Sequence, residues 1–476
     1  MKTIWSKTCA IENRSPLFTN KKTEIAVIGA GLAGILIAFE LQKAGKQVIV
    51  LESKQIGSGQ TSHTTAKITS QHGLIYHSLI QHFGIDKARQ YAIANEKAIE
   101  QYKLLIQKEQ IACDFEEKNS YVYSDSTQRL LLEKEAVQKL GLPFTFVDPT
   151  FIPLPSKGGI KFESQGQFHP LKFMNHLSRS LEIYENTPVL SVNEEEIQTI
   201  YGSISAEKII FATHFPFVNF PGLYFIRMHQ ERSYVIALKN APDVHGIFLG
   251  EGKDGYSLRN YKDLLFFGGE KHRCGMFPNE SPYDCLRKKA KEFFPSSYEV
   301  GHWSAQDCMT SDSIPYIGLY SKKSPNWYVA TGFQKWGMTT SMVAATLLRD
   351  QICGIQNPFS DIFSPSRFAS SDLGNILKEG GVATKGLLKR TFQIPKSVTD
   401  DIPYGEGGIV SFSNKKIGIY KDFDGNIYPV TIRCPHLGCQ LEWNPDEKSW
   451  DCPCHGSRFD YLGECISNPA QTNISI

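Results

Sequence analysis

Thiol and imidazole side chains lie in two close pairs near the end of the chain, in a pattern suited to binding iron. Cys434 and His436 form one pair, Cys452 and His455 form the other, and residues 437–451 separate them. Two thiolates on one iron and two neutral imidazoles on the other are the ligands of a mixed-ligand 2Fe–2S cluster, whose reduction potential lies at about −150 to +300 mV. The four residues therefore predict a centre that carries one electron at a time.

A zinc site is the alternative interpretation, because two cysteines and two histidines also suit tetrahedral Zn²⁺. Zinc fingers place the two cysteines together and the two histidines together. Here each pair contains one residue of each type. The arrangement therefore favours the cluster over zinc.

A glycine-rich turn near the start of the chain could bind a dinucleotide. Residues 24–28 are typical of a buried strand, Gly29-Ala30-Gly31-Leu32-Ala33-Gly34 follows, and a second strand over 47–51 ends at Glu52. Such glycines let the backbone approach a pyrophosphate at a helix N-terminus, and the acid can bind ribose hydroxyls. The context predicts a nucleotide-binding βαβ unit, although a turn of this kind can also exist without a ligand.

The remainder of the chain favours FAD over NAD. Residues 57–67 are rich in hydroxyl groups and poor in bulky side chains, as suits a loop around phosphate and ribityl groups. No second glycine pattern of this type occurs in the sequence, which argues against a separate NAD(P)H domain. We therefore predict FAD as the dinucleotide.

Together with residues 312–318 and 330–339 and the long helix after them, these segments resemble FAD-dependent oxidoreductases of the D-amino-acid oxidase and glycine oxidase type. In that family the late glycine turn points a helix N-terminus at the flavin, where a positive dipole stabilises negative charge. The resemblance implies FAD contacts at Gly29, Gly31, Ala33, Gly34, Glu52, Ser53, Thr61, Ser62, Thr65, Ala66, Val189, Thr213, Gly332, Trp336, Gly337, Met338 and Thr339.

Some relatives bind FAD covalently through a cysteine. Cys308 does not stand at the matching offset, which Ala305 occupies, so we expect noncovalent FAD. Amine-oxidising relatives also hold a substrate carboxylate with a basic side chain. Candidates for that role, and for contact with a flavin face, are Arg227, Arg232, Arg259, Arg273, Lys271, His229, His272 and Tyr234. No spacing distinguishes one of them from an ordinary structural residue, so the catalytic residues remain unassigned.

The C-terminal segment resembles the Rieske proteins of cytochrome bc-type complexes more than the Rieske domains of ring-hydroxylating oxygenases. The bc-type pattern has an extra cysteine in each loop, matched by Cys439 and Cys454, and the resemblance implies a disulfide between them; two reduced thiols are the alternative. Ser457 matches a serine that donates to a bridging sulfide, and residues 468–470 resemble the loop that covers the cluster. Phe459 replaces a frequent tyrosine, which implies a lower potential than in respiratory proteins.

A chain of 476 residues is long enough for two or three domains. The expected fold class is α/β (α+β), with a Rossmann-like FAD-binding domain, an interleaved mixed-sheet substrate domain and a small all-β Rieske domain. The expected boundaries are an N-terminal extension over 1–22, the flavoenzyme over 23–355 with FAD-binding parts near 23–100, 185–220 and 300–355, a linker over 356–398 and the Rieske domain over 399–476.

Charge and hydropathy exclude several classes of partner. The 51 basic and 49 acidic side chains leave a formal charge of +2, too small to argue for nucleic acid. No apolar run approaches the roughly 20 residues that span a bilayer, and the N-terminus lacks the apolar stretch of a secretory signal. We expect a cytoplasmic protein with no membrane span.

A flavin accepts two electrons from a substrate and the cluster carries one at a time, so their combination suggests a dehydrogenase. The hypothesis is that a small organic substrate, with an amine or amino acid as the favoured class, reduces FAD and that the cluster passes electrons to a separate acceptor protein. The alternative is a flavin oxidase or reductase whose Rieske domain is a redox sensor, docking module or electron input. A Rieske oxygenase would need a mononuclear iron site in a large domain after the cluster, and only residues 456–476 follow His455.

Overall fold

The computed structural model of the chain describes residues 2–252, 255–367, 401–412 and 415–476. Its helices are α1 (Ile4–Thr8), α2 (Leu32–Lys43), α3 (Tyr76–Phe83), α4 (Ile85–Lys108), α5 (Thr127–Leu140), α6 (Pro170–Ser178), α7 (Tyr224–Arg227), α8 (Pro282–Phe293), α9 (Gly337–Ile352) and α10 (Ser360–Phe363), with short 3-10 turns at Gln60–His63 and Pro149–Phe151.

The strands of the N-terminal part are β1 (Lys21–Ile28), β2 (Val48–Leu51), β3 (Lys67–Ile68), β4 (Glu116–Ser124), β5 (Thr145–Val147), β6 (Gly159–Gln167), β7 (Glu182–Tyr184), β8 (Val189–Asn193), β9 (Glu196–Thr199), β10 (Ser203–Phe211), β11 (Met228–Lys239), β12 (Ile247–Glu251), β13 (Ser257–Tyr261), β14 (Leu264–Arg273), β15 (Tyr298–Thr310), β16 (Tyr316–Ser321) and β17 (Ser324–Thr331). The C-terminal part contains β18 (Gly407–Phe412), β19 (Lys415–Lys421), β20 (Ile427–Thr431), β21 (Glu442–Asn444), β22 (Ser449–Asp451), β23 (Arg458–Asp460) and β24 (Cys465–Ser467).

The first large sheet contains both strands of the predicted nucleotide-binding unit. Its path is β16-β17-β10-β1-β2-β7, and β1 runs parallel to both β10 and β2. Helices α2 and α9 pack against each other beside this sheet. Because β1 and β2 are parallel neighbours, their carboxyl ends meet at one edge, which brings Gly29 close to Glu52.

The second large sheet is mixed and is assembled from segments far apart in the chain. Its path is β15-β11-β14-β13-β12-β4-β6-β3, with β5 beside β6. β12 and β4 are parallel, whereas β11 is antiparallel to both of its neighbours. The expected α/β fold with an interleaved mixed-sheet domain is confirmed. The order of these strands could not be read from the sequence.

The residues expected to form an N-terminal extension are part of the folded unit. Helix α1 places Trp5 in the core, where it forms T-shaped contacts with Tyr261 and Phe266. Its indole Nε1 donates to the Thr64 carbonyl at 2.7 Å. Residues at the start of the chain therefore support the glycine- and hydroxyl-rich loop after β2.

The segment expected to be a linker also packs on the flavoenzyme part where the structure describes it. Ile362 and Phe363 of α10 are buried in the main core. Arg367 forms a buried ion pair with Asp312 at 2.7 Å. The rest of that expected linker, residues 368–398, lies outside the described residues.

The C-terminal part is a small all-β unit, as expected. β18-β19-β20 form one antiparallel sheet, and β21-β22-β23-β24 form another. The two loops that carry the cysteine–histidine pairs flank β21 and β22. Nowhere in the described ranges is there a helix long and apolar enough to cross a membrane.

Candidate active site and cluster site

The two cysteine–histidine pairs converge on one buried point. The rings of His436 and His455 lie 4.9 Å apart between centroids and stand nearly perpendicular, at 88°. The buried thiols of Cys434 and Cys452 share a hydrogen bond, which lowers the pKa of Cys434. Residues separated by a fifteen-residue stretch (437–451) are thus brought together.

The free atoms at this point fit an iron–sulfur cluster. The Nδ1 atoms of both His436 and His455 are buried and have no hydrogen-bond partner. His436 Nε2 donates to Asn219 Oδ1 at 2.8 Å, which leaves its Nδ1 deprotonated and able to bind a metal. Two buried thiols and two unpartnered imidazole nitrogens are the donor set that the cluster requires.

The additional cysteines of the two loops are bonded to each other. Cys439 and Cys454 form a disulfide with a Cα–Cα distance of 6.6 Å. Their sulfurs also lie near that of Cys452, in a group of three buried cysteines. Because the disulfide removes two of these thiols, that group does not offer a separate three-thiolate metal site. Ser457 is buried, and its hydroxyl bonds the Cys434 sulfur and accepts from Ala470 N at 3.0 Å.

A cavity of about 980 Å³ lies between the two large sheets, at the edge where β1 and β2 end. Gly29 has a φ of +106°, and a Cβ there would lie 2.6 Å from the Ala212 carbonyl oxygen. A Cβ on Gly34 would lie 1.8 Å from the Gly29 oxygen, so helix and turn can approach this closely only without side chains. Gly31 caps α2 without a side-chain hydrogen bond, which leaves helix N–H groups available to an anion.

Glu52 is held at the end of β2 by backbone donors. Its carboxylate accepts from Ala30 N at 2.8 Å and from Lys54 N at 2.9 Å. Burial raises the pKa of Glu52, while these N–H groups and the Ser53 hydroxyl oppose that effect. The carboxylate lines the cavity, where it can accept from ribose hydroxyls.

The backbone carbonyl groups of the four successive residues 63–66 accept hydrogen bonds from buried side chains. Trp303 donates to His63 O at 2.9 Å, and Trp5 donates to Thr64 O. Arg259 donates to both Thr65 O and Ala66 O at 2.8 Å. Three segments distant in sequence therefore fix this wall of the cavity.

Most residues expected to contact FAD line this cavity. Those that do are Gly29, Gly31, Ala33, Glu52, Ser53, Thr61, Thr65, Val189, Thr213, Trp336, Gly337 and Met338. The others lie one layer behind: Gly34, Ser62, Ala66, Gly332 and Thr339.

The residues behind the cavity wall have their own partners. Ser62 Oγ donates to Gly59 O at 2.9 Å, and Thr339 Oγ1 donates to Thr69 O at 2.8 Å. Gly332 has a φ of +70°, and a Cβ there would lie 2.3 Å from the Thr310 side chain. These residues do not line the cavity themselves, but they hold in place the residues that do.

The turn before α9 contributes a charge that the sequence analysis did not identify. Lys335 lines the cavity and pairs with Asp307 at 2.7 Å and Glu231 at 3.2 Å. Burial lowers the pKa of Lys335, but these two carboxylates outweigh it and the net shift is upward. Trp336 stacks on His72, with ring centroids 4.7 Å apart. Only the late glycine turn pointed to this region.

The arginines considered as carboxylate ligands are engaged elsewhere. Arg227 donates to Pro365 O, Arg273 to Pro453 O, and Arg232 pairs with Glu447. Among the described residues that line the cavity there is no arginine.

The other candidates divide between the cavity and its surroundings. Lys271 and Tyr234 line the cavity, and the Tyr234 hydroxyl is 2.9 Å from His272 Nε2. His229 lies 3.8 Å from Glu231. Ala305 lines the cavity, whereas Cys308 is buried against Met228, with sulfur atoms 3.8 Å apart, and is absent from the lining.

The loops around the four cluster-site residues are seated on the flavoenzyme part. The side chain of Gln306 lines the cavity and donates to Gly456 O at 2.7 Å. Gln230 donates to His455 O at 2.7 Å and bonds Gln306. Asn468 donates to Thr213 O and Phe215 O, both at 2.6 Å.

The C-terminal part also forms one wall of the cavity and a buried ion network beside it. The lining includes residues 465–468, 470, 471 and 473. Glu447 pairs with Arg232 of the flavoenzyme part and with Arg458 of its own part. Burial raises the pKa of Glu447, but the two arginines outweigh it and lower this pKa to about 2. None of these contacts has a local sequence signature.

These features define a class of protein: a flavin-dependent oxidoreductase that carries a Rieske iron–sulfur domain. Models of two protein families match the chain, "FAD dependent oxidoreductase" over residues 24–351 and "Rieske [2Fe-2S] domain" over residues 394–476. The chain therefore belongs to the FAD dependent oxidoreductase family. Its first domain binds FAD, and its C-terminal domain binds a 2Fe–2S cluster.

A relative with the same two-part organisation is YhfW of Bacillus subtilis, whose name describes it as a Rieske 2Fe-2S iron-sulfur protein. The two chains are 37% identical over 487 aligned residues, 98% of this chain and 96% of YhfW. Among solved structures, glycine oxidase from Geobacillus kaustophilus has a TM-score of 0.61, with 17% identity over 73% of this chain and 99% of that one. L-proline dehydrogenase from P. horikoshii has a TM-score of 0.63, with 18% identity over 73% and 98%.

Proposed function

We propose that the protein is a dehydrogenase of a small organic substrate, an amine or amino acid, and that its electrons leave FAD singly through the Rieske cluster to a separate acceptor protein. Solved structures with this fold include a glycine oxidase and an L-proline dehydrogenase, which supports an amino acid as substrate. Bound FAD would accept a hydride from such a substrate, and the cluster would accept one electron at a time.

One observation carries the electron-transfer part of the proposal. Gln306 belongs to the cavity wall, and its side chain donates to the backbone of the loop that holds His455. One buried residue of the cavity wall thus contacts the cluster loop directly. A cluster used only as a distant sensor or docking module would not need to be seated there.

The four residues proposed as iron ligands are Cys434, Cys452, His436 and His455. Asn219 orients the His436 ring through its Nε2, and Ser457 bonds the Cys434 sulfur. The Ser457 hydrogen bond withdraws charge from the thiolate and so raises the cluster potential, whereas the Asn219 bond makes the His436 imidazole a stronger donor. We propose as FAD contacts the residues predicted for that role that also line the cavity, among them Gly29, Gly31 and Glu52.

A rapid-mixing experiment tests the dehydrogenase proposal. Loaded protein is mixed anaerobically with individual amino acids and amines, and the visible bands of the flavin and of the oxidised cluster are followed separately. We expect flavin bleaching first and cluster reduction second, at a rate independent of protein concentration because the transfer is intramolecular.

A matched variant separates relay from regulation. His436→Cys replaces the proposed imidazole ligand by a thiolate and lowers the cluster potential, because it restores negative charge. Under the relay proposal, turnover with an artificial one-electron acceptor falls while flavin reduction is unchanged. Fast oxygen consumption at a rate that His436→Cys does not change would instead support an oxidase with a regulatory Rieske domain.

A further inference from the structure

Lys67 is a buried cation on the cavity wall that is formed by the second large sheet. It begins β3 and lines the cavity, yet its side chain is almost fully buried. The Lys67 ammonium donates to the hydroxyl of Ser257 at the start of β13. In the described part of the chain no carboxylate is paired with it, and the charged group that influences it is another cation, Arg259.

The other lysines on the cavity wall are accounted for. Lys335 is paired with Asp307 and Glu231. Lys54 donates to the carbonyl groups of Cys465 and Ile466. Lys271 is exposed to solvent. Lys67 thus differs from the lysines around it, since it is buried and has no counter-charge.

An isolated buried ammonium group is costly unless an anion accompanies it. Burial, together with Arg259, lowers the pKa of Lys67 to about 7. Arg259 does not take the place of Lys67, because it does not line the cavity and its Nη1 holds the Thr65 and Ala66 carbonyls. A negatively charged ligand next to Lys67 would remove the cost of the charge.

The surroundings of Lys67 indicate the shape of that ligand. Ser257 pairs with Gly268 on one side and with Leu249 on the other, so the wall beside it has one small residue and one apolar residue. Leu249 belongs to a small apolar cluster against which Trp336, at the start of α9, packs. A single cation with a hydroxyl, next to an apolar surface, suits a carboxylate attached to a small organic body.

We infer that Lys67 and Ser257 form the carboxylate-recognition site of the substrate, and hence that the substrate is a small carboxylic acid, as an amino acid is. This inference rests on the proposed dehydrogenase function, because it names the chemical class of that substrate. It assigns to Lys67 a role for which no arginine is available among the described residues of the cavity lining.

Binding of unreactive ligands to the loaded protein tests this site without turnover. Propionate and benzoate are titrated against the change in the visible flavin spectrum, beside the neutral amides propionamide and benzamide. We expect each carboxylate to bind roughly tenfold or more tightly than its amide, because a charge-assisted bond to a buried cation is lost in the amide.

Variants test whether Lys67 and Ser257 cause the preference for carboxylates. Lys67→Met should abolish the preference for the carboxylate, and Ser257→Ala should weaken carboxylate binding by a few fold. Lys271→Met, which alters the exposed lysine of the same wall, should leave it unchanged. FAD content and the cluster spectrum are measured for each variant, and Ser257→Ala carries the test if Lys67→Met does not retain FAD.

The inference is overturned if the unsubstituted protein binds amides as well as carboxylates, if neither class perturbs its flavin, or if Lys271→Met rather than Lys67→Met removes the preference. Each result differs from failure of the electron-transfer proposal, in which the flavin would be reduced while the cluster stayed oxidised.

Discussion

At the scale of single residues, the cluster site depends on two buried thiols and two imidazole nitrogens that have no hydrogen-bond partner. We predict that Cys452→Ser leaves the protein with FAD but without iron and acid-labile sulfide, because a serine hydroxyl is a poor ligand for iron in this site. Iron, sulfide and flavin analyses of the purified variant measure the result. Cys465→Ser is the control, since the Cys465 thiol donates to Ala470 O at 3.2 Å and is not among the proposed ligands. Unchanged iron in Cys452→Ser would contradict the ligand assignment.

Glu52 gives a second prediction at this scale. Glu52→Ala should weaken FAD binding by about 1.5–3 kcal/mol, roughly ten- to a hundredfold in Kd, because a charged acceptor for the ribose hydroxyls is lost. Titration of the flavin-free protein with FAD, followed by fluorescence, measures the change. Glu24→Gln, at an exposed ion pair with Lys46, should bind FAD normally. Equal affinity in both variants would remove Glu52 from the site.

The sequence predicted residues whose role follows from local spacing, and it missed those whose role follows from packing. Gly29 and the two cysteine–histidine pairs stand in motifs that specify their neighbours. Lys67 was visible only as part of a polar loop, because its partner Ser257 lies 190 residues away in the chain. Thr339 follows the late glycine turn, yet its hydroxyl is engaged by Thr69, 270 residues away.

At the scale of elements, a short helix at the N-terminus supports the loop that forms the cavity wall. Trp5→Ala should lower the free energy of unfolding by about 3–5 kcal/mol, since a fully buried indole leaves a cavity. Trp5→Phe should lower the free energy of unfolding by less. Besides the effect of the smaller ring, it removes the hydrogen bond to Thr64 O, which contributes about 1 kcal/mol. Urea unfolding followed by the release of flavin measures both.

The two Trp5 variants distinguish a specific support of the cavity wall from a general contribution to core packing. If α1 positions the loop, Trp5→Phe weakens FAD binding although most of the core packing is retained. A Trp5→Ala protein that unfolds at the same urea concentration as the unsubstituted protein would show that α1 does not contribute. This helix could not be expected from the sequence, because five residues carry too short a pattern to predict a helix or its place in the core.

At the scale of the whole molecule, a buried ion network holds the Rieske domain against the flavoenzyme domain. Glu447→Gln should weaken this contact by about 3–5 kcal/mol, because it leaves Arg232 buried without a carboxylate, whereas Arg458 keeps its pair with Asp451. We expect cluster reduction to become slower while flavin reduction keeps its rate. Lys448→Ala, one residue further on and bonded to Tyr420 within the Rieske domain, is the control. The same transfer rate in Glu447→Gln would show that the docked arrangement does not govern transfer.

That interface could not be predicted from the chain. The Arg232–Glu447 pair joins residues 215 positions apart, and Gln306 meets Gly456 across 150 positions. Arg232, Glu447 and Gln306 stand in no motif, and side chains of these types are usually exposed. The fold class and both cofactors follow from local patterns, whereas the joining of the two domains follows only from their packing.

The most direct test of the central claim uses light instead of a substrate. The bound flavin is photoreduced anaerobically in the presence of EDTA, and samples frozen at successive times are examined by electron paramagnetic resonance. Our account predicts that the rhombic signal of a reduced mixed-ligand cluster grows as the flavin band bleaches, up to one spin per protein. A fully bleached flavin beside a cluster that stays oxidised, or protein that contains zinc instead of iron, would contradict it.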